Sequence, residues 1–401
     1  KCRWKTIPRI SSKRFAVRLM LFSHISDTHL GLVQYGSNER ERDVYDAFNQ
    51  AIDISISDKV DFVIFSGDIF ENPKPNGNAI LQMANALKRL KENDIDSFFI
   101  LGEHDVSNIK HQNPVPYIYH NLGFSKYIGN GKPIEYKGIM LVGFDKIRPP
   151  EMAQNEERFL DVDKSVEKFS GHKILVLHQG ITEFNKFAGE LQSTDLPKNF
   201  TYYAMGHLHD KDVKQFNHLK GPIVYPGSIE LTTSEGIKDI KKGFFEVDIS
   251  GNEAIPKWVE LDTRPQFSFK VEYKELTKAI DEITEKISSL AKKPVMEVKI
   301  QGEDIEIDHI QAQIARLSSS TIRCFWKIET KQISDSSVFL DRPNEIEDEI
   351  FKLSIKALDS EQDANFAINE LLPKLSKDQT EQGLEIILEN YEKFKKEKNH
   401  D

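Results

Sequence analysis

The chain has 401 residues, of which 39% are hydrophobic and 29% charged, with 21 Gly, 16 Pro and a formal net charge of −10. That balance excludes collagen-like, prion-like and wholly disordered classes, and the length suits two or three domains. No stretch approaches the ~18 apolar residues of a membrane-crossing helix, so no membrane role is expected.

Residues 1–19 form a basic N-terminal extension with seven Lys or Arg and no acid, so the remaining chain sums to −17. An acidic total disfavours a blanket nucleic-acid coat but leaves room for a local basic channel. The extension reads as a DNA-binding arm, a transit-like peptide or, preferred here, plain upstream sequence or tail ahead of Met20. Arg18 interrupts its short apolar run, so it is not a secretory signal. From Met20 to Asp262, apolar runs at Leu19–Ile25, Asp61–Ser66, Ser97–Leu101, Ile139–Phe144, Lys173–Leu177 and Thr201–Met205 predict strands. Several lack polar alternation, as strands covered on both faces do. Glu41–Ser57 and Asn78–Lys91 have helical spacing between them, giving an α/β domain over 20–262. The Gly-containing stretch 221–250 predicts added antiparallel strands. Residues 263–342 then read as a small β-α-β-α-β module: Phe267, Phe269, Val271 and Tyr273 alternate, and Leu276, Ile280, Ile283, Ile287 and Leu290 make a helical stripe. Met296, Val298 and Ile300 alternate again before a helix near Asp308–Leu317 and a strand near Thr321–Ile328. Cys324 alternates with Ile322 and Trp326, the pattern of an inert core thiol. With Cys2 the only other cysteine, a disulfide framework and a zinc–thiolate site are both excluded, and a reducing, intracellular compartment (cytoplasm or nucleoid) is expected. Residues 343–401 are acidic, 15 acids to 8 bases. Ile346, Ile350, Leu353 and Ala357 share one helical face and Leu384, Leu388 and Tyr391 another. They suit either helices packed on their own domain or a segment that docks a partner's helices.

Five motifs follow predicted strands: Asp27-Thr28-His29, Gly67-Asp68, Gly102-Glu103-His104-Asp105, Leu177-His178-Gln179-Gly180 and Gly206-His207-Leu208-His209. The carboxyl ends of buried strands are where α/β proteins place ligand sites. Each motif alone is weak, because a histidine after an apolar strand is more often structural. Together they gather five of the 12 histidines and two aspartates at successive strand ends. Imidazole and carboxylate without thiolate suit Mn²⁺, Fe²⁺ or Zn²⁺. The donors are too many for one tetrahedral ion, and Asp68 is the natural bridging oxygen ligand of a binuclear centre. Such a centre activates water and steadies an in-line displacement, so the implied substrate is a phosphate ester. A nearby histidine that is not a ligand can protonate the leaving oxygen.

This motif order resembles the calcineurin-like metallophosphoesterases, whose fold is a sandwich of two sheets flanked by helices. Within them it is most similar to the meiotic-recombination-eleven, or SbcD-like, DNA repair nucleases. Ile25-Ser26-Asp27-Thr28-His29-Leu30-Gly31 and Thr263-Arg264-Pro265-Gln266-Phe267 carry that closer likeness, which spans about residues 20–340. The resemblance implies one metal held by Asp27, His29, Asp68 and His209, and a second by Asp68, Glu103, His178 and His207. His104 would act on the scissile phosphodiester. It further implies two Mn²⁺ per chain, 3′-to-5′ exonuclease activity on duplex DNA and endonuclease activity on single strands. A homodimer, a DNA-capping role for the second module, and docking of a Rad-fifty-like SMC-family ATPase on the C-terminal helices also follow from it.

Two residues depart from that family's pattern. Glu103 stands where an asparagine is usual, adding a negative charge and a methylene, which lowers the Lewis acidity of a bound pair. Glu71 stands where a histidine is often found. Lys74, Lys110, Lys146 and Arg148 are candidate phosphate contacts in loops that border the site. Beside the nuclease reading stand a phosphoesterase for small phosphomonoesters, which would not need the second module, and a metal-binding scaffold with little catalysis, which Glu103 keeps open.

Overall fold

The computed structural model describes residues 20–107, 113–148, 152–186 and 188–329, with 354, 355, 358, 360–371, 384, 386–388 and 390 further on. The chain divides into two units, Lys1–Thr330 and Lys331–Asp401.

Strands β1 (Leu21–Ile25), β2 (Phe62–Ser66) and β3 (Asp96–Ile100) pair in parallel, joined by helices α1 (Asn38–Ser57) and α2 (Gly77–Glu92). Their buried stretches of four to five residues match the predicted strands. Asn76 starts α2 by accepting a hydrogen bond from the Ala79 amide at 2.9 Å. Short helix α3 (Tyr117–Asn121) leads to β4 (Lys126–Tyr127), parallel to β3. The second sheet comprises β5 (Ile134–Tyr136), β6 (Ile139–Phe144), β7 (Lys173–His178), β8 (Tyr202–Gly206), β9 (Asp212–Lys214) and β10 (Ile223–Tyr225), in the order β5-β6-β7-β8-β10-β9, with α4 (Met152–Val166) between β6 and β7. Strands β11 (Gly243–Asp248) and β12 (Ile255–Glu260) return to the first sheet, β11 lying antiparallel to β1. The expectation of antiparallel strands over 221–250 holds for β11 and for the pairing of β10 with β9, while on its other side β10 runs parallel to β8.

The two sheets face each other across one core. Phe22, Phe62 and Phe98 from the first meet Ile174, Val176, Tyr202 and Val224 from the second, all fully buried. Phe22 and Phe62 stack at 4.9 Å, and burial of each such side chain contributes about 1.5–3 kcal/mol. A second core lies under α1 and α2, and a third under α4. Strand periodicity sorts β1 cleanly: Phe22 and His24 point into the sandwich, while Ser23 meets Ser55 of α1 at 2.7 Å. His24 is wholly buried between Tyr202 Oη and Ser66 Oγ, each at 3.0 Å, and burial lowers its pKa to about 3. It is therefore a neutral polar strut under the strand ends.

The module beyond Thr263 has its own core. Strands β13 (Gln266–Glu272), β14 (Val295–Gln301) and β15 (Arg323–Ile328) form a parallel sheet, and α5 (Leu276–Ser288) and α6 (Ile307–Ala315) cover one face through Leu276, Ile280, Ile283, Ile287 and Ile310. Cys324 lies half-buried against that core, and burial pushes its thiol up to about 11. On the open face Phe325 rests on Tyr35 at 4.9 Å. In the second unit Ser360 caps the helical turn Glu361–Asn365, and Leu384 and Leu388 are exposed. Residues 1–19 and the stripe residues Ile346, Ile350, Leu353, Ala357 and Tyr391 lie outside the described residues.

Glu246 of β11 gives the fold a testable pH dependence. It is buried, and burial together with Asp58 raises its pKa to about 7 from an ordinary 4.5, against the pull of Lys257 across the sheet. Between those two values the folded state holds more protons than the unfolded, so stability falls as pH rises from about 4.5 to about 7. Glu246→Gln is expected to add about 1 kcal/mol at pH 8 and nothing at pH 4, read from urea unfolding at both values.

Candidate metal centre

All five motifs leave the sheets on one edge. Asp27 and His29 follow β1, Asp68 follows β2, Glu103 and His104 follow β3, His178 ends β7, and His207 and His209 follow β8. The sheets meet closely there. A Cβ on Gly67 would strike the His178 ring, and one on Gly206 would strike the Ser66 carbonyl. Only glycine permits this approach, and Gly67, at φ +92°, also needs the left-handed backbone. Four site residues adopt that backbone despite their side chains: Asp27 (φ 50°), His29 (44°), Asp68 (49°) and His207 (92°). Such a conformation is unfavourable outside glycine and is held by the surrounding loops.

The ligand-type atoms gather in four overlapping trios whose atoms lie within 4.8 Å of one another: Asp27–His29–His209, His29–Asp68–His104, Glu103–His178–His207 and Asp27–Asp68–His178. Asp27, His29, Asp68 and His178 each belong to two of them, which makes the four trios one continuous cluster. Asp27, His29, Asp68 and His178 form a buried floor, with Glu103, His104, His207 and His209 half-buried at the rim.

Hydrogen bonds from behind set the ring nitrogens. His178 Nδ1 lies 2.7 Å from the Ser66 carbonyl, and His104 Nδ1 lies 2.7 Å from that of Glu71. A carbonyl only accepts, so each Nδ1 carries the proton and Nε2 is turned to the site. His178 Nε2 stands 3.2 Å from Asp68 and 2.9 Å from Glu103, yet neither contact has hydrogen-bond alignment. His207 Nδ1 approaches Glu103 at 2.7 Å, and His29 Nε2 faces His209 Nε2 at 3.2 Å. Burial disfavours the His178 imidazolium, but Asp68 and Glu103 outweigh it and hold its pKa well above the ordinary value. Against their own desolvation, His178 holds Asp68 down to about 2 and, with His207, holds Glu103 well below the carboxylate range.

These features fit a pair of divalent metals. The donors are nitrogen and oxygen only, the histidines beside Asp68 and Glu103 hold both carboxyls in the ionised form, and His178 Nε2 and Glu103 Oε2 are buried facing each other at 2.9 Å without hydrogen-bond alignment. A cavity that crowds carboxylates and imidazole nitrogens this closely is built for positive charge.

Several supporting residues were not legible as such in the sequence. Asp105 accepts from the amides of Ile69, Phe70 and Gly102 at 3.0–3.2 Å, clamping the Asp68 and Glu103 loops together. Its place in the third motif was the one available signal. Behind His209, Thr232 Oγ1 lies 3.0 Å from Nδ1, Glu235 lies at 3.5 Å, and Lys242 holds both Glu235 and the His209 carbonyl. Glu71 reaches His29 Nδ1 at 2.9 Å. Of the candidate phosphate contacts, Lys74 and Arg148 are exposed and Lys110 lies outside the described residues. Lys146 is turned inward instead: its ammonium sits 2.8 Å from Glu190, 3.3 Å from His207 and 3.8 Å from Glu103. It balances the acidic rim rather than reaching into solvent.

Comparison with known proteins agrees with this geometry. The sequence profile of the calcineurin-like phosphoesterases matches residues 20–211. The chain is 31% identical over 324 residues to the DNA double-strand break repair protein Mre11 of Saccharolobus solfataricus, covering 78% of this chain and 84% of that one. It is 31% identical over 347 residues to the Mre11 of Sulfurisphaera tokodaii (83% and 87%), and 33% over 293 residues to that of Methanococcus maripaludis (69% and 77%). The family resemblance carried by the five motifs is thus borne out, and the chain belongs to the Mre11 family of calcineurin-like phosphoesterases.

Proposed function

We propose that this chain is a manganese-dependent DNA nuclease that processes double-strand break ends, a 3′-to-5′ exonuclease on duplexes and an endonuclease on single strands. The observation that carries the reading is the crowding of nitrogen and oxygen ligand atoms around Asp68, which stands in one trio with His29 and His104 and in another with Asp27 and His178. Asp27, His29, Asp68 and His209 would hold one ion, and Asp68, Glu103, His178 and His207 the other. When bound, the ions supply Lewis acidity toward the phosphoryl oxygens and the attacking water. His104, oriented by the Glu71 carbonyl, presents Nε2–H to the leaving oxygen and donates its proton there. Lys146 offsets the added charge of Glu103. DNA as substrate is supported by the relatives' printed role in double-strand break repair and by the second module's open face. There Lys270, Lys299 and Lys327 stand in register across three strands, beside Phe325 and Tyr35. Glu297 neutralises part of this row, pairing with Lys299 at 3.3 Å and Lys327 at 3.0 Å, and the lysines in excess of it suit a phosphate backbone. Pairing as a homodimer is supported by exposed Leu81, Ile118 and Leu122 around α2 and α3, which touch through Tyr119 Oη and the Ile80 carbonyl at 2.8 Å. The C-terminal segment is assigned to a Rad-fifty-like SMC-family ATPase.

The deciding experiment is degradation of a 3′-labelled duplex with Mn²⁺, Mg²⁺ or chelator. Manganese-dependent release of nucleotides is the expected result. Silence on DNA with rapid hydrolysis of a nitrophenyl phosphodiester would keep the centre and discard the substrate. Glu103 has its own test in metal stoichiometry. Glu103→Asn is expected to retain both manganese equivalents, and Glu103→Ala to weaken one by at least about tenfold. Unchanged metal content in both variants would remove Glu103 from the ligand set.

A further inference from the structure

A buried ionic network lies behind the centre, and no step of the chemistry above uses it. Arg40 on α1 is fully buried and forks in three directions. Nε donates to Gln34 at 2.8 Å, Nη1 to Asp43 at 2.7 Å, and Nη2 to the Leu231 carbonyl at 3.4 Å, with Glu230 at 3.1 Å. Gln34 belongs to the loop that follows His29. Leu231 precedes Thr232, whose hydroxyl holds His209 Nδ1. One guanidinium therefore ties down the segments behind both histidines of the Asp27–His29–His209 trio, and touches nothing behind Glu103, His178 or His207.

Asp43 has a second partner. Arg264, the second residue after the sandwich, grips it with two parallel bonds, Nε to Oδ2 at 2.5 Å and Nη2 to Oδ1 at 2.8 Å. Its remaining nitrogen donates to the Lys293 carbonyl at 2.7 Å, at the foot of β14. Such forked pairs are strong and directional. The packing around them is incompletely satisfied: Gln34 Nε2, Glu230 Oε2 and both polar atoms of Gln266 are buried without a hydrogen-bond partner among the described residues. Removing one member of such a network leaves its partner buried with an unpaired charge, so the junction depends on every member being in place.

We infer that Arg40 is a positioning residue for His29 and His209, and that Arg264, by sharing Asp43 with it, ties the seating of the three-stranded module to that half of the metal centre. The inference rests on the metal reading above. Anything that shifts the module on the sandwich pulls on Asp43, and through Arg40 on the segments behind His29 and His209. Coupling is reciprocal, so filling that trio also steadies the junction.

Arg264→Gln is the variant of choice, since Arg264 lies at the junction and not in the sandwich core. Titration calorimetry of the full chain with Mn²⁺ alone is expected to show one equivalent weakened about fivefold and the other unchanged. Hydrogen exchange gives the reverse reading. Mn²⁺ should slow exchange of the amides over 261–267 about fivefold in the wild type and leave them unaltered in the variant. Two unaltered equivalents in Arg264→Gln, or equal weakening of both, would overturn the coupling while leaving the centre intact. A wild-type chain that binds no manganese would overturn the metal reading, and this inference with it.

Discussion

Alanine at position 68 is expected to abolish both manganese equivalents at once and to reduce hydrolysis by about 10³-fold or more. In the ligand assignment proposed above Asp68 alone serves both ions, and it stands in one trio with His29 and in another with His178. Its Oδ1 also accepts the His104 amide at 2.9 Å, so the loop that carries His104 loses its anchor together with the metals. Calorimetry and thermal melts with and without Mn²⁺ check the claim. The wild type should gain stability from the ion by mass action, and Asp68→Ala should not. A variant that kept one tight equivalent would show that the two sides do not share this carboxylate.

His104→Ala should behave in the opposite way, keeping both equivalents while slowing DNA hydrolysis by about 10²–10⁴-fold. The geometry makes this a fair contest, since His104 also sits within reach of His29 and Asp68 as a would-be ligand. A proton donor matters in proportion to how poor the leaving group is. A thymidine nitrophenyl diester, whose leaving group needs no proton, should therefore be cleaved by His104→Ala nearly as fast as by the wild type. Equal losses on both substrates, or a lost manganese equivalent, would place His104 among the ligands.

The sandwich strands, the second module and the five strand-end motifs were legible because each is written locally. An apolar run of five residues, a helical stripe such as Leu276–Ile280–Ile283–Ile287, or an Asp-x-His triplet carries its meaning within one turn or strand. What lay behind the motifs was not legible. Thr232 and Glu235 back His209 from some 25 residues away, and Arg40 meets Leu231 across 191 residues of sequence. No periodicity marks either pair. Lys146 misled for a related reason: a lysine after a strand normally faces water, and only the nearby Glu190 and Glu103 turn it inward. The parallel pairing of β10 with β8 was not legible either, because its three residues hold no record of which strand the chain will lay beside it.

The left-handed backbone at Asp27, His29, Asp68 and His207 sets a conflict for any attempt to harden this protein against heat. At each of these positions glycine would relieve about 1 kcal/mol of torsional penalty, so screens that score only survival after heating should enrich it there. Every such gain would delete a donor from the centre. Thermal selection should therefore be coupled to a screen for turnover, or confined to surfaces such as α2 and α5, where extra stability and the chemistry do not compete for the same residue.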